Sequence, residues 1–338
     1  MFVKTLETAA HVINQGRARF ATRMLAARKR AGGLLIRSTL ESMSQVAKAH
    51  PRSIRLLRQV EVERNVRYAP GSLDAHLLDV YRPKAATKGL PAILYLHGGA
   101  FQILSKNTHW LMAAPFAREG FAVFNASYRL APKHPFPAAL EDCAAAFVWV
   151  VENAHRYGAD PNRLIVVGES AGANLALSLA IAACFERPEP FAKRVFATGV
   201  VPRAVLPICG ALQVSDGARF VRRKPHMRKI VADRIEEMEK NYLGAAAGPF
   251  ADPLCLLEND VLPARALPPM YTACGTKDPL LDDTRRLGVA LGKRGVRCDV
   301  DIFPGEIHAF HAMRWRPAAV ECWAHQLAFV AEAVKRQS

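Results

Sequence analysis

Three short segments of this chain carry residue types that can attack, protonate and stabilise a carbonyl centre. The first is Gly168-Glu169-Ser170-Ala171-Gly172, which follows the apolar run RLIVV and precedes an Ala- and Leu-rich stretch from Ala171 to about Phe185. A strand-to-helix turn this tight admits only small residues beside the serine, and Gly168 and Gly172 bracket it accordingly. Such a turn lifts the Ser170 hydroxyl above the strand ends and aims the free N–H groups of the next helix at a developing oxyanion. The second segment is His97-Gly98-Gly99-Ala100-Phe101, at the end of PAILYLH (91–97). Consecutive glycines let backbone N–H groups turn into a site with no Cβ in the way. Gly98 and Gly99, together with Ala171, are therefore the candidate oxyanion donors. His97 precedes the serine and reads as a structural member of its loop.

The third segment supplies the base. A serine nucleophile needs a base, and the base needs an orienting carboxylate. On a strand-to-helix turn of this kind the acid and then the base follow the serine in chain order. Downstream of Ser170 stand His226, His308, His311 and His325. His308 lies in PGEIHAF, a loop after the strand-like CDVDIF, where it can reach the edge that carries Ser170. His311 is its near competitor, whereas His226 lies among basic residues and His325 on the last helix. For the acid, Asp278 follows the strand-like MYTACG within GTKDPLLDD. Asp282 and Asp283 fit better as residues that cap and begin the next helix.

These residues need a scaffold that brings strand ends together. LRQVEVERNVRY and DAHLLDVYRP alternate like two half-buried strands joined through a Pro-Gly turn at 70–71. Apolar runs at 91–97, 121–128, 163–168, 203–210, 270–275 and 298–303 then alternate with helical segments such as 108–120 and 137–158. That rhythm predicts an α/β fold, a mostly parallel sheet with helices on both faces. Residues 1–50 read as helix, interrupted by the His-Pro step at 50–51. Residues 211–260 break the rhythm as a charged, Gly-interrupted helical insertion. The expected organisation is an N-terminal helical cap segment (1–55), a core of 56–210 and 261–338, and a cap insertion (211–260).

Taken together, HGGAF, YRLAPKHPFPAALED, GESAGANLAL, GTKDPLLDD and IHAF resemble the hormone-sensitive-lipase-like bacterial esterases of the α/β-hydrolase superfamily, over roughly residues 75–335. The resemblance implies an eight-stranded α/β-hydrolase sheet, a helical cap, no cofactor or metal, and hydrolysis of short- to medium-chain carboxylic esters. Two departures stand out: Ala100 occupies the fourth position of the usual HGGG, and Glu169 and Ala173 replace residues of the common GDSAGG. The loop FQILSKNTHW also replaces the usual small-residue continuation, which leaves the acyl pocket open. The same machinery serves amidases, thioesterases and lactonases, so those activities remain alternatives, as does a non-catalytic ligand-binding protein of this fold.

Composition narrows the setting. The 338 residues are 51% hydrophobic and 22% charged, as a folded domain with a sizeable core requires. Of the formal +16 charge, about ten come from residues 1–60, where twelve Lys and Arg face only Glu7 and Glu41. No zinc-finger, RNP-like or helix-turn-helix pattern accompanies this basic segment, so nucleic acid is not an expected partner. A solvated basic face and peripheral contact with anionic lipid both remain open. The seven cysteines are widely spaced and never form C-x-x-C, which favours a reducing compartment over a disulfide or zinc scaffold. With no signal-peptide pattern and no apolar stretch of about 18 residues, a cytoplasmic location is expected. The expected partner is a small ester; the resemblance adds a homodimer, since relatives often dimerise.

Overall fold

The computed structural model describes residues 32–85, 88–244, 248–259 and 261–335, together with Met24 and Arg28. Residues 1–23, on which much of the N-terminal reading falls, lie outside the described residues. Helix α1 covers 32–49 of the described chain. It gives way at His50, and α2 (Pro51–Arg58) restarts with proline in its first turn and the His50 ring accepting from Arg52 N at 3.2 Å.

Among the described residues, eight strands form one sheet in the order β1-β2-β4-β3-β5-β6-β7-β8. These are β1 (Val60–Arg67), β2 (Leu77–Pro83), β3 (Leu90–Leu96), β4 (Ala122–Ala126), β5 (Ala159–Glu169), β6 (Ala204–Ile208), β7 (Met270–Gly275) and β8 (Cys298–Phe303). The pairs β1–β2 and β2–β4 are antiparallel; the rest are parallel. All eight strand-like runs of the sequence are strands. The central ones are buried on both faces, which is why they read as continuous apolar runs.

The two-residue period sorts their side chains into two layers. Ala92, Leu94 and Leu96 of β3 join a core with α4 (Ala138–Asn153), α5 (Ala171–Cys184) and α6 (Pro190–Ala197). Ile93 and Tyr95 join the opposite core, with α3 (Trp110–Arg118) and α11 (Pro317–Lys335). Two elements differ from the sequence reading. The helix expected over 137–158 ends at Asn153 and passes through a 3-10 turn, Ala154–Tyr157, to Gly158 at φ +70°. Helix α6 has only eight residues, too few for periodicity to reveal.

The segment 211–260 folds as α7 (Ala218–Arg223), α8 (Lys229–Leu243) and α9 (Pro253–Glu258). Its base is pinned to α10 (Leu281–Lys293), where the buried Asp283 carboxylate accepts from Leu212 N (3.0 Å), Gln213 N (3.1 Å) and Arg219 (2.8 Å). Its far end leans on the glycine loop: Tyr242 stacks on Phe101 at 3.6 Å between ring centroids, and Asn241 Nδ2 donates to Gln102 Oε1 at 2.8 Å. The N-terminal region meets the same segment through Arg28, which pairs with Asp233 at 2.9 Å. Among the described residues no helix is long and apolar enough to cross a membrane.

Candidate active site

Ser170 sits between β5 and α5 with φ +57° and ψ −116°. That backbone state costs a non-glycine residue free energy and persists only where surrounding contacts impose it. Here Ser170 N donates to Ile208 O (3.0 Å), and Ser170 O accepts from Ala211 N (3.2 Å). The bracketing glycines are steric necessities: a Cβ on Gly172 would run into the Leu96 and His97 carbonyls, and one on Gly168 into the Gly172 carbonyl.

Across the strand ends, His308 Nε2 lies 2.9 Å from Ser170 Oγ, and His308 Nδ1 lies 2.8 Å from Asp278 Oδ2. Asp278 enters from the loop after β7 and is fully buried, its second oxygen accepting from Leu280 N at 2.8 Å. His308 comes from the loop after β8, its side chain 36% exposed. Burial on its own would raise the Asp278 pKa, but the His308 ring outweighs it and the carboxyl ends below its ordinary 3.8. Burial would lower the His308 pKa, but Asp278 outweighs that, and the imidazole ends above its ordinary 6.5. The arrangement can pass the hydroxyl proton to the ring and hold the resulting imidazolium.

The competing residues are placed elsewhere. His311 is buried on a short 3-10 turn with no partner at Nδ1 among the described residues, and burial pushes its pKa down to about 4. His325 pairs with Asp301 at 2.7 Å, and His226 is exposed in the segment before α8. Asp282 pairs with Arg223, and Asp283 holds Arg219. Both belong to the first turn of α10, whose N-cap is Leu280. Cys209, Asp278 and His308 offer three ligand atoms within 4.8 Å of one another. Burial pushes the Cys209 thiol well above its ordinary pKa, which keeps it from the thiolate form a metal takes.

The glycine loop requires a correction. Gly98 is not a free oxyanion donor: its N–H donates to Glu169 Oε1 at 2.5 Å. Among the described residues the N–H groups of Gly99, Ala100 and Ala171 donate to no protein acceptor. Gly99 and Ala100 turn through φ +114° and +53°, a left-handed run that Ala100 tolerates less well than glycine would. Ala171 is wholly buried at the start of α5, so its free N–H is an orphan donor inside the protein.

Glu169 is the residue that the sequence did not single out. Its carboxylate is buried and accepts from Gly98 N, from Tyr95 Oη and from His109 Nε2 at 2.6 Å. Burial pushes its pKa up, but His109 and the hydroxyl of Tyr95 more than offset it, leaving a value of about 2. Beside this group, His97 stacks on Tyr128 at 4.2 Å and is held neutral by burial, at about 3.

Comparison with known proteins agrees with this architecture. The chain belongs to the α/β-hydrolase fold family, whose model matches residues 93–312. The match supports the branch that the motifs resemble. Over 141 residues it is 37% identical to a carboxylesterase, NlhH, of Mycobacterium tuberculosis, spanning 40% of this chain and 44% of that protein. Over 232 residues it is 28% identical to an acetyl esterase of Salmonella schwarzengrund, with 68% of each chain covered. Among solved structures, a hyperthermophilic esterase of the archaeon Pyrobaculum calidifontis is similar with a TM-score of 0.71 at 28% identity, covering 89% of this chain and 92% of its own.

Proposed function

We propose that the protein is a serine carboxylic-ester hydrolase acting on short- to medium-chain acyl esters. The observation that carries this reading is the continuous hydrogen-bonded line from Asp278 through His308 to Ser170, at 2.8 and 2.9 Å. His308 takes the Ser170 proton as Oγ attacks the ester carbonyl, and Asp278 holds the ring tautomer and steadies the imidazolium. The oxyanion falls to the free N–H groups of Ala171, Gly99 and Ala100. Each such donor is worth about 2.7–4 kcal/mol of transition-state stabilisation. His308 then protonates the departing alcohol. In the second step it activates a water that attacks the acyl-enzyme, releasing the acid and regenerating Ser170. The names of the relatives, carboxylesterase and acetyl esterase, support esters as the substrate class.

In this reading residues 211–260 are a cap, since Tyr242 and Asn241 rest on the loop carrying the donors. The N-terminal helix extends it, and its exposed Leu34, Leu35, Met43 and Val46, followed by Arg52, Arg55 and Arg58 on α2, suit contact with an anionic lipid surface.

The deciding experiment is hydrolysis of p-nitrophenyl esters from acetate to palmitate by wild type and Ser170→Ala, with matched thioester and amide substrates beside them. The expected result is turnover that peaks at short chains and falls by about 10⁴-fold or more in the variant. Turnover by Ser170→Ala near the wild-type level, or wild-type turnover of amides or thioesters but not esters, would overturn the assignment.

A further inference from the structure

A single carboxylate oxygen holds both ends of the loop that follows β3. Glu169 Oε1 accepts from Gly98 N at 2.5 Å, where the loop leaves the strand, and from His109 Nε2 at 2.6 Å, where it enters α3. Between these points the chain folds back on itself. Gly99 O accepts from Gln102 N (2.9 Å) and Ile103 N (3.1 Å), and Phe101 O from Ala131 N (2.8 Å). The buried Lys106 ammonium reaches Asp79 and Asn65, each at 2.7 Å. The second oxygen of Glu169 accepts from Tyr95, on the strand that launches the loop. Glu169 also immediately precedes Ser170, so whatever it holds is held in register with the nucleophile.

We infer that Glu169 is a positioning residue, with His109 as its partner: the pair clamps loop 98–109 to the serine turn and so sets where the Gly99 and Ala100 N–H groups point. The inference rests on the hydrolase reading above. Geometry favours a clamp over a directly reacting carboxylate, because the donors around Glu169 already engage both of its oxygens. A clamp of this kind does not bind the substrate ground state. Its loss displaces oxyanion donors by fractions of an ångström, which lowers kcat and leaves KM nearly unchanged.

A purely structural role would also loosen the loop, so the test needs a readout that packing cannot move. The titratable groups facing Glu169 are Tyr95 from β3, His97 just after it, His109 before α3, Tyr128 after β4, Cys209 after β6, and His308 and His311 from the segment after β8; those acting on His308 are chiefly Asp278 and Glu169. The negative charge of Glu169 helps to keep His308 protonated. Neutralising it must therefore shift the acid limb of kcat/KM to lower pH.

Wild type, Glu169→Gln, His109→Leu and His109→Gln are compared on p-nitrophenyl acetate and butyrate, with circular dichroism and Tm recorded for each. Glu169→Gln should lose about 10- to 100-fold in kcat with KM within about threefold, and its acid limb should move down in pH. His109→Leu should lose about tenfold or more in kcat. His109→Gln, which keeps a donor where Nε2 stood, should stay within about threefold of wild type. Folded Glu169→Gln with near-wild-type kcat, or with an unmoved acid limb, would overturn the clamp. If Glu169→Gln does not fold, the two His109 variants decide: equal kcat in both overturns it, and loss in leucine alone supports it. Absence of ester turnover by the wild type itself would overturn the hydrolase reading and the clamp with it, whereas wild-type turnover that survives in the variants strikes the clamp alone.

Discussion

Acidification from pH 7 to pH 5 should destabilise this protein before it protonates any of the carboxylates at the site. The reason lies in His97 and His311, both buried and held neutral, with pKa values pushed down to about 3 and about 4 from an ordinary 6.5. Burial is the main cause in both; His109 adds to it for His97, while Glu169 pulls His311 the other way. In the unfolded chain both rings take up a proton as pH falls through about 6.5, while the native rings refuse it, so stability falls with pH. At pH 5 each ring lies about 1.5 units below its unfolded pKa and still above its native one. At about 1.4 kcal/mol per unit, this costs about 2 kcal/mol per histidine and about 4 kcal/mol for the pair. That is a large share of the roughly 5–15 kcal/mol that separates native from unfolded states. His308 works in the opposite sense: its raised pKa contributes stability below its unfolded pKa, lost as pH rises through the native one. Glu169, at about 2, stays ionised across this window; its contribution is lost only below about 4.5. Urea unfolding at pH 7 and pH 5 measures the effect, and His311→Asn should remove about half of the loss, whatever its own cost at pH 7. Equal stability at the two pH values, or an undiminished loss in His311→Asn, would show that these buried rings do not set the acid sensitivity.

Three further outcomes follow from the same geometry. In the proposed mechanism His308 acts as the neutral ring and Asp278 raises its pKa, so the acid limb of kcat/KM should have its midpoint above pH 6.5; a midpoint below 6.5 would contradict the Asp278–His308 pairing. Gly172→Ala should yield misfolded or inactive protein, since the added methyl meets the backbone carbonyls of Leu96 and His97, which belong to the central sheet and the glycine loop and cannot yield; soluble protein with wild-type kcat would show otherwise. Vesicles containing phosphatidylglycerol should co-sediment the protein at low salt and release it at about 0.5 M salt, and Leu35→Asp with Val46→Asp should weaken binding. Equal binding to neutral and anionic vesicles would exclude the charge-based contact.

Much of this protein was legible locally. Alternation placed β1 and β2, short apolar runs placed β3 to β8, and the tight requirements of a strand-to-helix serine turn singled out Ser170 between Gly168 and Gly172. Position after a strand marked His308 and Asp278 out from their neighbours as residues that could reach Ser170, because in a parallel sheet every strand delivers its following loop to the same edge, and the three side chains do meet there. Whether Asp282 and Asp283 are structural could be anticipated from their place at a helix start. That Asp283 anchors the segment 211–260 through Arg219 could not.

The cluster of Glu169, His109 and Tyr95 is a product of three-dimensional folding alone. They lie 74 residues apart at the widest, and no spacing rule links them. Next to Ser170, Glu169 reads like any polar residue of a turn, and His109 like the polar start of a helix. Their meeting depends on β3 lying beside β5 and on loop 98–109 folding back beneath the serine turn. This meeting also engages the Gly98 N–H with the Glu169 carboxylate. Periodicity reports which face of an element is buried. Which polar atoms share that interior is set by strand order and loop closure, since a buried carboxylate must recruit whatever donors the fold brings within reach.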